Sequence, residues 1–260
     1  MIDFLTITIM AAGEGKRMRS SIPKVLHLFN ELPMLVRILL EVKELNPRKI
    51  IVITGKYDAL IKETILENIK NDSDLLNKIV YVQQTNPMGT GHAISCTLDH
   101  YENSNNVLIL NGDMPCIKYG TLNKFIQNGI NSLFVAKLDN PFGYGRIIVN
   151  SDNYIKYIRE EIDCNEEERA CKLTNSGIYY FSAVNLKKYI PLIDCNNIQN
   201  EYYLTDIVKI MNDDQYENKE ENNKISIYEI DKNKNYQIQG VNTPEELKDL
   251  EELEKYKKFD

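Results

Sequence analysis

A short segment near the amino terminus combines glycine with positive charge. Residues 10–17 have the sequence MAAGEGKR, and Pro23-Lys24 follows soon after. Glycines let backbone N–H groups approach phosphate oxygens closely, and Arg and Lys side chains neutralise charge that the amides cannot. The pattern therefore favours a pocket for a phosphate group, with Arg17 and Lys24 as its cations.

The glycine spacing excludes two common phosphate loops. A P-loop has a longer spacer before its Gly-Lys-Ser/Thr triplet, whereas a single residue separates Gly13 from Gly15 and Arg17 follows Lys16. The dinucleotide fingerprint requires a third glycine where Met18 stands. A P-loop kinase is therefore ruled out. On these residues alone, a tight turn that uses the glycines for positive φ remains an alternative.

Alternating apolar runs and helical patterns indicate the elements that position these residues. The apolar run 6–12 ends in Gly13, which is typical of a buried parallel strand. Helices are predicted at 34–45, 59–68, 92–101 and 121–128, and strands at 49–54, 79–83 and 106–110. Repeated βα units predict an α/β fold with a Rossmann-like, doubly wound, mostly parallel sheet. Ligands of such sheets bind at the carboxyl ends of the strands.

The pattern changes past Asn131. Strand candidates at 132–138, 146–150, 154–159 and 177–181 follow one another without intervening helices. The polar segment 213–223 is predicted to be an exposed loop, and 244–259 a terminal helix. Because no internal repeat or flexible linker divides the chain, we predict one domain over residues 1–260.

Composition and charge exclude several classes of protein. The 260 residues include 38 acidic and 31 basic side chains, a net charge of −7 that disfavours nucleic acid as a partner. Five scattered cysteines without zinc spacing are typical of a reducing compartment. No run reaches the roughly 18 apolar residues of a membrane helix, and no secretory pattern opens the chain. We expect a cytoplasmic protein with no membrane partner, and the oligomeric state stays open.

The glycine segment and the motifs after it resemble the signature of sugar-1-phosphate nucleotidyltransferases. The matching stretches are 11–18 (AAGEGKRM), 23–27 (PKVLH), 83–84 (QQ), 88–93 (MGTGHA), 111–115 (NGDMP), 143–147 (GYGRI), 175–177 (NSG), 201–206 (EYYLTD) and 240–242 (GVN). They cover nearly the whole chain and are most similar to the uridylyltransferase domain of bacterial N-acetylglucosamine-1-phosphate uridylyltransferases. The resemblance implies a nucleotide-binding half at about 1–130, a β-rich sugar-binding half at about 131–242 and a C-terminal helix at 243–260.

The resemblance also implies a role for each motif residue. Arg17, Lys24 and Asp113 would be catalytic, and Asp113 and Asn242 would hold Mg²⁺, which prefers oxygen ligands. The nucleotide-binding residues would be Met10, Ala11, Ala12, Gly13, Gly15, Gln84, Gly89, Thr90, Asn111 and Gly112. The sugar-binding residues would be Tyr144, Gly145, Glu160, Asn175 and Asn242. Read alone, Asn242 is a predicted N-cap before Pro244.

The implied reaction joins UTP to N-acetylglucosamine 1-phosphate and releases pyrophosphate. The family usually has a basic residue two positions after Glu160, but Ile162 stands there. Arg159 could substitute for that residue, or the substrate could be glucose, galactose or N-acetylgalactosamine 1-phosphate. An aromatic residue is common in the family where Asn111 stands. The choice between UTP and dTTP also stays open.

The alternative from another class is a non-catalytic module that binds nucleotide sugars. Retention of Arg17, Lys24, Asp113 and Asn242 favours the enzyme, because a binding module does not need both the cations and the metal ligands. Cys116 is predicted to be a small apolar filler, and no histidine is predicted to be catalytic. The chain contains no hexapeptide repeat, so we predict neither the β-helical acetyltransferase domain of bacterial relatives nor its trimer.

Overall fold

The computed structural model describes residues 4–103, 105–150, 154–218 and 224–257, with only the backbone for 215–218. The fold is mixed α/β with a mainly parallel central sheet. The chain divides into two compact units. The first unit consists of Met1–Pro87, Ile109–Lys124 and Asn233–Asp260, and the second of Met88–Leu108 and Phe125–Lys232. The units interleave in sequence, because each consists of separate stretches of the chain.

Eleven strands and nine α-helices form within the described residues. The strands are β1 (Leu5–Met10), β2 (Leu28–Phe29), β3 (Leu32–Pro33), β4 (Lys49–Thr54), β5 (Ile79–Gln83), β6 (Asn106–Asn111), β7 (Ser132–Lys137), β8 (Arg146–Val149), β9 (Ile155–Arg159), β10 (Leu173–Ser182) and β11 (Ser226–Glu229). The helices are α1 (Met34–Lys43), α2 (Asp58–Ile69), α3 (Ser73–Lys78), α4 (Thr90–Ser95), α5 (Tyr119–Gln127), α6 (Glu166–Ala170), α7 (Ala183–Tyr189), α8 (Asp206–Asn218) and α9 (Pro244–Lys257). No helix in the described parts of the chain has the length and apolar character that crossing a membrane requires.

The first unit contains β1, β4, β5 and the carboxyl-terminal half of β6, in the strand order β6-β1-β4-β5. β1 pairs in parallel with β4, with Thr6 opposite Lys49, and β4 pairs in parallel with β5. The chain runs outward from β1 to β5 and then returns to the other side of β1 with β6. Such a reversal of strand order opens a ligand-binding crevice at the carboxyl ends of the neighbouring strands.

Amphipathic helices connect these parallel strands. α2 buries Ile61, Ile65 and Ile69, whose spacing of four residues places them on one helix face. α1 likewise buries six apolar side chains and ends before Pro47, which cannot continue a helix. Full burial of one such side chain contributes about 1.5–3 kcal/mol. The packing of the helices therefore fixes the carboxyl ends of the strands and the loops that follow them.

The second unit is mainly antiparallel. β10 pairs antiparallel with β7, which also pairs in parallel with β11, and β8 pairs antiparallel with β9. The register of β10 shifts between Asn175 and Ile178, where Gly177 has a φ of 77°. Phe125 and Phe134 pack edge to face at 5.0 Å in its aromatic core.

The structure confirms most of the predicted elements and corrects three predictions. α6 lies among the strand candidates at 132–181, which were predicted to follow one another without intervening helices, and α7 and the first half of α8 lie where no element was predicted. The predicted loop at 213–223 is wrong for its first six residues, which finish α8, while 219–223 lie outside the described residues. The predicted helix at 92–101 is shorter, because α4 ends at Ser95 and a 3₁₀ turn follows at Leu98–His100.

Polar sequences explain why these helices escaped prediction. α6 is held by a capping box in which the Asn165 side chain accepts from the Glu168 N–H and the Glu168 side chain accepts from the Asn165 N–H. α8 buries Ile207, Val208 and Met211 in its first half, and its second half is polar. Apolar periodicity alone therefore misses both helices.

Candidate active site

The glycine segment and the Asp113 loop meet at one sheet edge of the first unit. The Ala11 N–H donates to the Ile53 carbonyl at 2.9 Å, which extends the pairing of β1 with β4. The Gly112 N–H donates to the Met10 carbonyl, also at 2.9 Å. The carboxyl ends of β1 and β6 therefore lie side by side. This is where a doubly wound sheet is expected to bind its ligand.

Gly15 permits the close approach of Lys24. It has a φ of 65°, and a Cβ atom at this position would collide with Cβ of Lys24. Lys24 opens a 3₁₀ turn whose next two residues, Val25 and Leu26, are buried. Backbone conformation at Gly15 and packing beyond Lys24 thus fix the position of the lysine.

Four predicted residues converge in the first unit, and we call them the Lys24 cluster: Arg17, Lys24, Asp113 and Asn242. Lys24 Nζ donates to Asp113 Oδ2 and, at 2.9 Å, to Asn242 Oδ1. A guanidinium nitrogen of Arg17 donates to the same Asn242 oxygen at 2.9 Å. The cluster joins two cations to one carboxylate, so one positive charge is in excess. Such a group attracts phosphate.

The two carboxylate oxygens of Asp113 differ in their hydrogen bonding. Asp113 Oδ1 is buried and has no hydrogen-bond partner among the described residues. A Cβ at Gly240 would lie 3.3 Å from this oxygen, and the Val241 N–H donates to the Asp113 carbonyl at 3.0 Å. A buried carboxylate oxygen without a partner costs free energy, and a bound cation would remove that cost.

This donor set fits Mg²⁺. Asp113 Oδ2 and Asn242 Oδ1 already converge on one cation, the Lys24 ammonium. No group of three or more His, Cys, Asp or Glu side chains suited to a metal occurs among the residues that the structure describes. Mg²⁺ suits a site with so few protein ligands, because it keeps water and substrate phosphates as its other ligands.

Asn242 does not cap α9, contrary to the prediction from its local sequence. Thr243 is the cap, since its Oγ1 accepts from the Glu246 N–H at 3.1 Å, and Glu246 in turn accepts from the Asn242 N–H at 2.7 Å. The Asn242 side chain is thereby left for Arg17 and Lys24. Asn242 belongs to the first unit.

Other predicted nucleotide-binding residues surround the same sheet edge. Gln84 is 5% exposed, and its N–H donates to the Thr54 carbonyl at 2.7 Å, which continues the pairing of β5 with β4. Gly112 is buried, and a Cβ there would lie 2.9 Å from the Met10 carbonyl oxygen. Asn111 and Ala12 are partly exposed and Gly13 is exposed. The first unit thus contains eight of the ten residues, all except Gly89 and Thr90.

Gly89 and Thr90 lie in the second unit, where they contact the segment at 201–206. Gly89 has a φ of 105°, and a Cβ there would lie 2.5 Å from the Tyr202 carbonyl oxygen. The Thr90 hydroxyl accepts from the Leu204 N–H at 3.0 Å, and the Gly91 N–H donates to the Tyr202 carbonyl at 2.7 Å. The Thr90 hydroxyl therefore links the motif at 88–93 to the motif at 201–206 by a hydrogen bond.

Four of the five predicted sugar-binding residues, all except Asn242, are held by local bonds in the second unit. The Asn175 N–H donates to the Gly145 carbonyl at 2.9 Å, which brings these two residues together. The Asn175 side chain is 8% exposed and donates to the Tyr179 hydroxyl at 2.6 Å. Glu160 accepts from the Thr205 hydroxyl at 2.9 Å. The Tyr144 carbonyl accepts from Arg146.

Burial shifts the pKa of two carboxyl groups near Thr205, those of Glu160 and Asp206. It raises the pKa of Glu160, and the hydrogen bond from Thr205 opposes the shift, while Asp206 and Asp163 add to it. Burial together with Asp194 raises the pKa of Asp206 to about 6. Sequence reasoning gave no role to Thr205 or Asp206, although the motif at 201–206 was the available signal.

A buried ion pair lies next to Ile162, where the chain departs from the family pattern that it resembles. Glu161 accepts from Arg146 at 2.7 Å and from the Gly143 N–H at 3.1 Å, and the Arg146 side chain is 2% exposed. Arg159 donates to Glu168 at 3.3 Å. The structure therefore engages Arg159 in a different pair and does not support it as the substitute for the missing basic residue.

Comparison with known proteins extends these observations. The model of the MobA-like NTP transferase domain matches residues 7–159. The chain is similar to a protein of Acanthamoeba polyphaga mimivirus, described as a probable UDP-N-acetylglucosamine pyrophosphorylase, with 41% identity over 257 residues and 96% of each chain covered. It is also similar to the bifunctional protein GlmU of Trichodesmium erythraeum (strain IMS101), with 34% identity over 256 residues. That match covers 96% of this chain and 52% of the relative, so the chain spans about half the length of the bifunctional relative.

A solved structure shares the fold. The structure of a UDP-glucose pyrophosphorylase complexed with UDP-glucose superimposes with a TM-score of 0.71 at 18% identity, covering 98% of this chain and 99% of that one. Identity this low supports the architecture only. The family assignment depends on the matched domain and on the mimiviral relative, which is similar along nearly its whole length. The chain therefore belongs to the MobA-like NTP transferase family and is a nucleotidyltransferase.

Proposed function

We propose that this nucleotidyltransferase is a UDP-N-acetylglucosamine pyrophosphorylase, which converts UTP and N-acetylglucosamine 1-phosphate into UDP-N-acetylglucosamine and pyrophosphate. The observation that carries the proposal is the Lys24 cluster, where Arg17 and Lys24 converge beside the Asp113 carboxylate. An excess of positive charge at the end of β1 is what a triphosphate requires. The name of the mimiviral relative supports the choice of sugar.

The nucleophile needs no general base. The second pKa of a phosphate monoester is about 6, so the attacking oxygen of the sugar phosphate is already anionic near neutral pH. It forms a new P–O bond to the α-phosphorus of UTP. The bond from that phosphorus to the α,β-bridging oxygen breaks, and its electron pair leaves with pyrophosphate. No proton has to move in this exchange.

The barrier lies in bringing two anions together, and the cations of the Lys24 cluster lower it. Arg17 and Lys24 neutralise the oxygens on the α-phosphorus and on the departing pyrophosphate. The backbone amides of residues 11–15 add donors that are already oriented before the substrate arrives. Loss of one donor of this kind typically lowers kcat by about 10²–10³-fold.

Asp113 and Asn242 would hold Mg²⁺. Support comes from the buried Asp113 oxygen without a partner and from the convergence of both side chains on one ammonium. When bound, the ion supplies further neutralisation of phosphate charge. We expect Asp113→Ala to reduce Mg²⁺-dependent turnover by about 10²-fold or more, and the control Asp99→Ala, an exposed aspartate, to leave it unchanged. Near-normal turnover of Asp113→Ala would contradict the metal site.

The remaining predicted residues would select the substrates. Gln84, with a donor and an acceptor on one side chain, would recognise the uracil edge. Glu160 and Asn175 would bind sugar hydroxyls and the N-acetyl group. We also retain the proposal of a cytoplasmic location, since all five cysteines are free thiols.

Pyrophosphate release tests the proposal. UTP and dTTP are each offered with the 1-phosphates of N-acetylglucosamine, N-acetylgalactosamine, glucose and galactose, with and without Mg²⁺. We expect the highest kcat/KM for UTP with N-acetylglucosamine 1-phosphate, and only with the metal. A higher kcat/KM with another sugar 1-phosphate would identify that compound as the substrate instead. No release of pyrophosphate from any pair would favour the alternative, a non-catalytic module that binds nucleotide sugars.

A further inference from the structure

Glu254 connects the far end of α9 to the active-site loops of the first unit. Its carboxylate side chain is only 3% exposed. One carboxylate oxygen accepts from Arg37 at 2.8 Å and has Lys118 at 3.5 Å, and the other accepts from the Asn30 side chain at 2.7 Å. A carboxylate this deeply buried is tolerated only with such partners, because its loss of hydration is large.

Arg37 links Glu254 to the loop that contains Asp113. While one guanidinium nitrogen donates to Glu254, Nε donates to the Pro115 carbonyl at 3.1 Å. Pro115 stands two residues after Asp113. The ring of Phe29 lies 4.8 Å below the guanidinium and restricts its orientation further. Glu254 therefore fixes Arg37, and Arg37 fixes the segment that carries Asp113.

Asn242 stands two residues before the other end of α9. Glu246 in the first turn accepts from the Asn242 N–H at 2.7 Å, which ties that residue to the helix. One apolar cluster then joins the helix to all three segments of the site: it contains Met18, Cys116, Val241 and Leu250. The first three are close in sequence to Arg17, Asp113 and Asn242. This burial confirms the prediction that Cys116 is an apolar filler.

We infer that Glu254 is a positioning residue for the Lys24 cluster. This inference rests on the proposed function. Glu254 lies ten positions after Pro244, about 15 Å along the helix, so it acts through other residues and not on the reacting atoms. It holds α9, to which Asn242 is bonded through Glu246, against the segment that contains Asp113. A displacement of about 1 Å at such a cluster can cost about 10²-fold in rate.

The test compares two neutralised glutamates on the same helix. Glu254→Gln keeps the side-chain shape and removes the buried charge, and Glu252→Gln makes the same change at an exposed position. UTP affinity is measured by calorimetry without sugar phosphate, and kcat and KM by pyrophosphate release. We expect Glu254→Gln to weaken UTP binding and to lower kcat by about tenfold or more, with an unchanged KM for the sugar phosphate. Glu252→Gln should stay within about twofold of the wild type.

A double variant separates positioning from stability. In Arg37→Met/Glu254→Leu, apolar side chains of similar size replace the buried pair, a change that usually preserves stability. We expect the double variant to have a melting temperature close to that of the wild type. Its UTP affinity should stay as low as that of Glu254→Gln, because no donor then reaches the Pro115 carbonyl. Recovery of both would overturn the inference, and so would wild-type UTP affinity and kcat in Glu254→Gln.

The binding measurement also keeps the two proposals apart. A wild-type protein that binds UTP but releases no pyrophosphate with any sugar phosphate would overturn the proposed function. The comparison of UTP affinity between Glu254→Gln and Glu252→Gln would still decide whether Glu254 positions the cluster.

Discussion

The ammonium of Lys24 donates to one oxygen of the Asp113 carboxylate, while the other oxygen is buried and has no hydrogen-bond partner among the described residues. The two residues are 89 positions apart in the chain and meet where β1 and β6 end. One oxygen is thus paired with a cation, and the other is buried without such a pair. The same lysine also reaches Asn242 and so orders the whole cluster.

Replacing Lys24 tests its role as a cation for the substrate. Lys24→Gln removes the charge and keeps most of the side-chain length. We expect kcat to fall by about 10²–10³-fold, since a preorganised donor to the phosphates is lost. Lys16→Gln is the control, because the Lys16 side chain is 87% exposed and its ammonium is as far as 3.9 Å from the Glu14 carboxylate. Equal losses in the two variants would show that overall charge, and not the Lys24 position, matters.

Gly15→Ala tests whether the glycine is needed for close approach. A Cβ there would collide with Cβ of Lys24, and the φ of 65° is itself unfavourable for alanine by about 1–2 kcal/mol. We expect a lower free energy of unfolding by chemical denaturation and weaker UTP binding by calorimetry. Gly120→Ala provides the comparison, because a Cβ meets nothing within 4 Å there and alanine favours a helix. A Gly15→Ala protein as stable as the wild type would refute this explanation.

Glu161→Gln tests the buried ion pair near the predicted sugar-binding residues. Arg146 would keep its bond to the Tyr144 carbonyl but lose its counter-charge, which costs about 3 kcal/mol for a buried pair. The loop at 143–145 should loosen, so we expect the KM for the sugar phosphate to rise about tenfold while UTP affinity stays constant. Glu167→Gln, an exposed change in α6, should alter neither value. An unchanged KM in a folded Glu161→Gln protein would argue against this positioning role.

Asp206→Asn tests the shifted carboxyl group of α8. Burial raises the pKa of Asp206 from its usual 3.8 to about 6, so the folded protein holds a proton that the unfolded chain releases. The stabilising contribution of this proton is complete below about pH 4 and is lost as the pH rises through about 6. The free energy of unfolding of the wild type, relative to that of Asp206→Asn, should therefore decrease as the pH rises from about 4 to about 6. Asp213→Asn, an exposed change in the same helix, is the control. A difference that does not vary with pH would contradict the shift.

The parallel half of the fold was predictable because each buried strand is a short apolar run closed by a breaker. β4 and β5 begin and end at the predicted residues, and β1 is shifted by only one or two. Apolar strands covered on both faces leave such runs, and Gly55 and Gly13 mark where they stop. Local pattern and tertiary environment agree in these segments.

The active-site contacts were not predictable from local sequence. Lys24 and Asn242 are 218 positions apart, and no spacing rule connects them. The local pattern was even misleading for Asn242, since an asparagine two residues before Pro244 looks like a cap while Thr243 performs that role. Only the family resemblance placed Asn242 in the site, and the network of Glu254 was visible only in three dimensions.

The most direct test follows the α-phosphorus of UTP. The protein is incubated with UTP that carries ³²P at the α position, N-acetylglucosamine 1-phosphate and Mg²⁺, and the products are separated. Attack on the α-phosphorus predicts that the label enters UDP-N-acetylglucosamine and that the released pyrophosphate is unlabelled. Label recovered only as UMP, or remaining entirely in UTP, would contradict uridylyl transfer to the sugar phosphate.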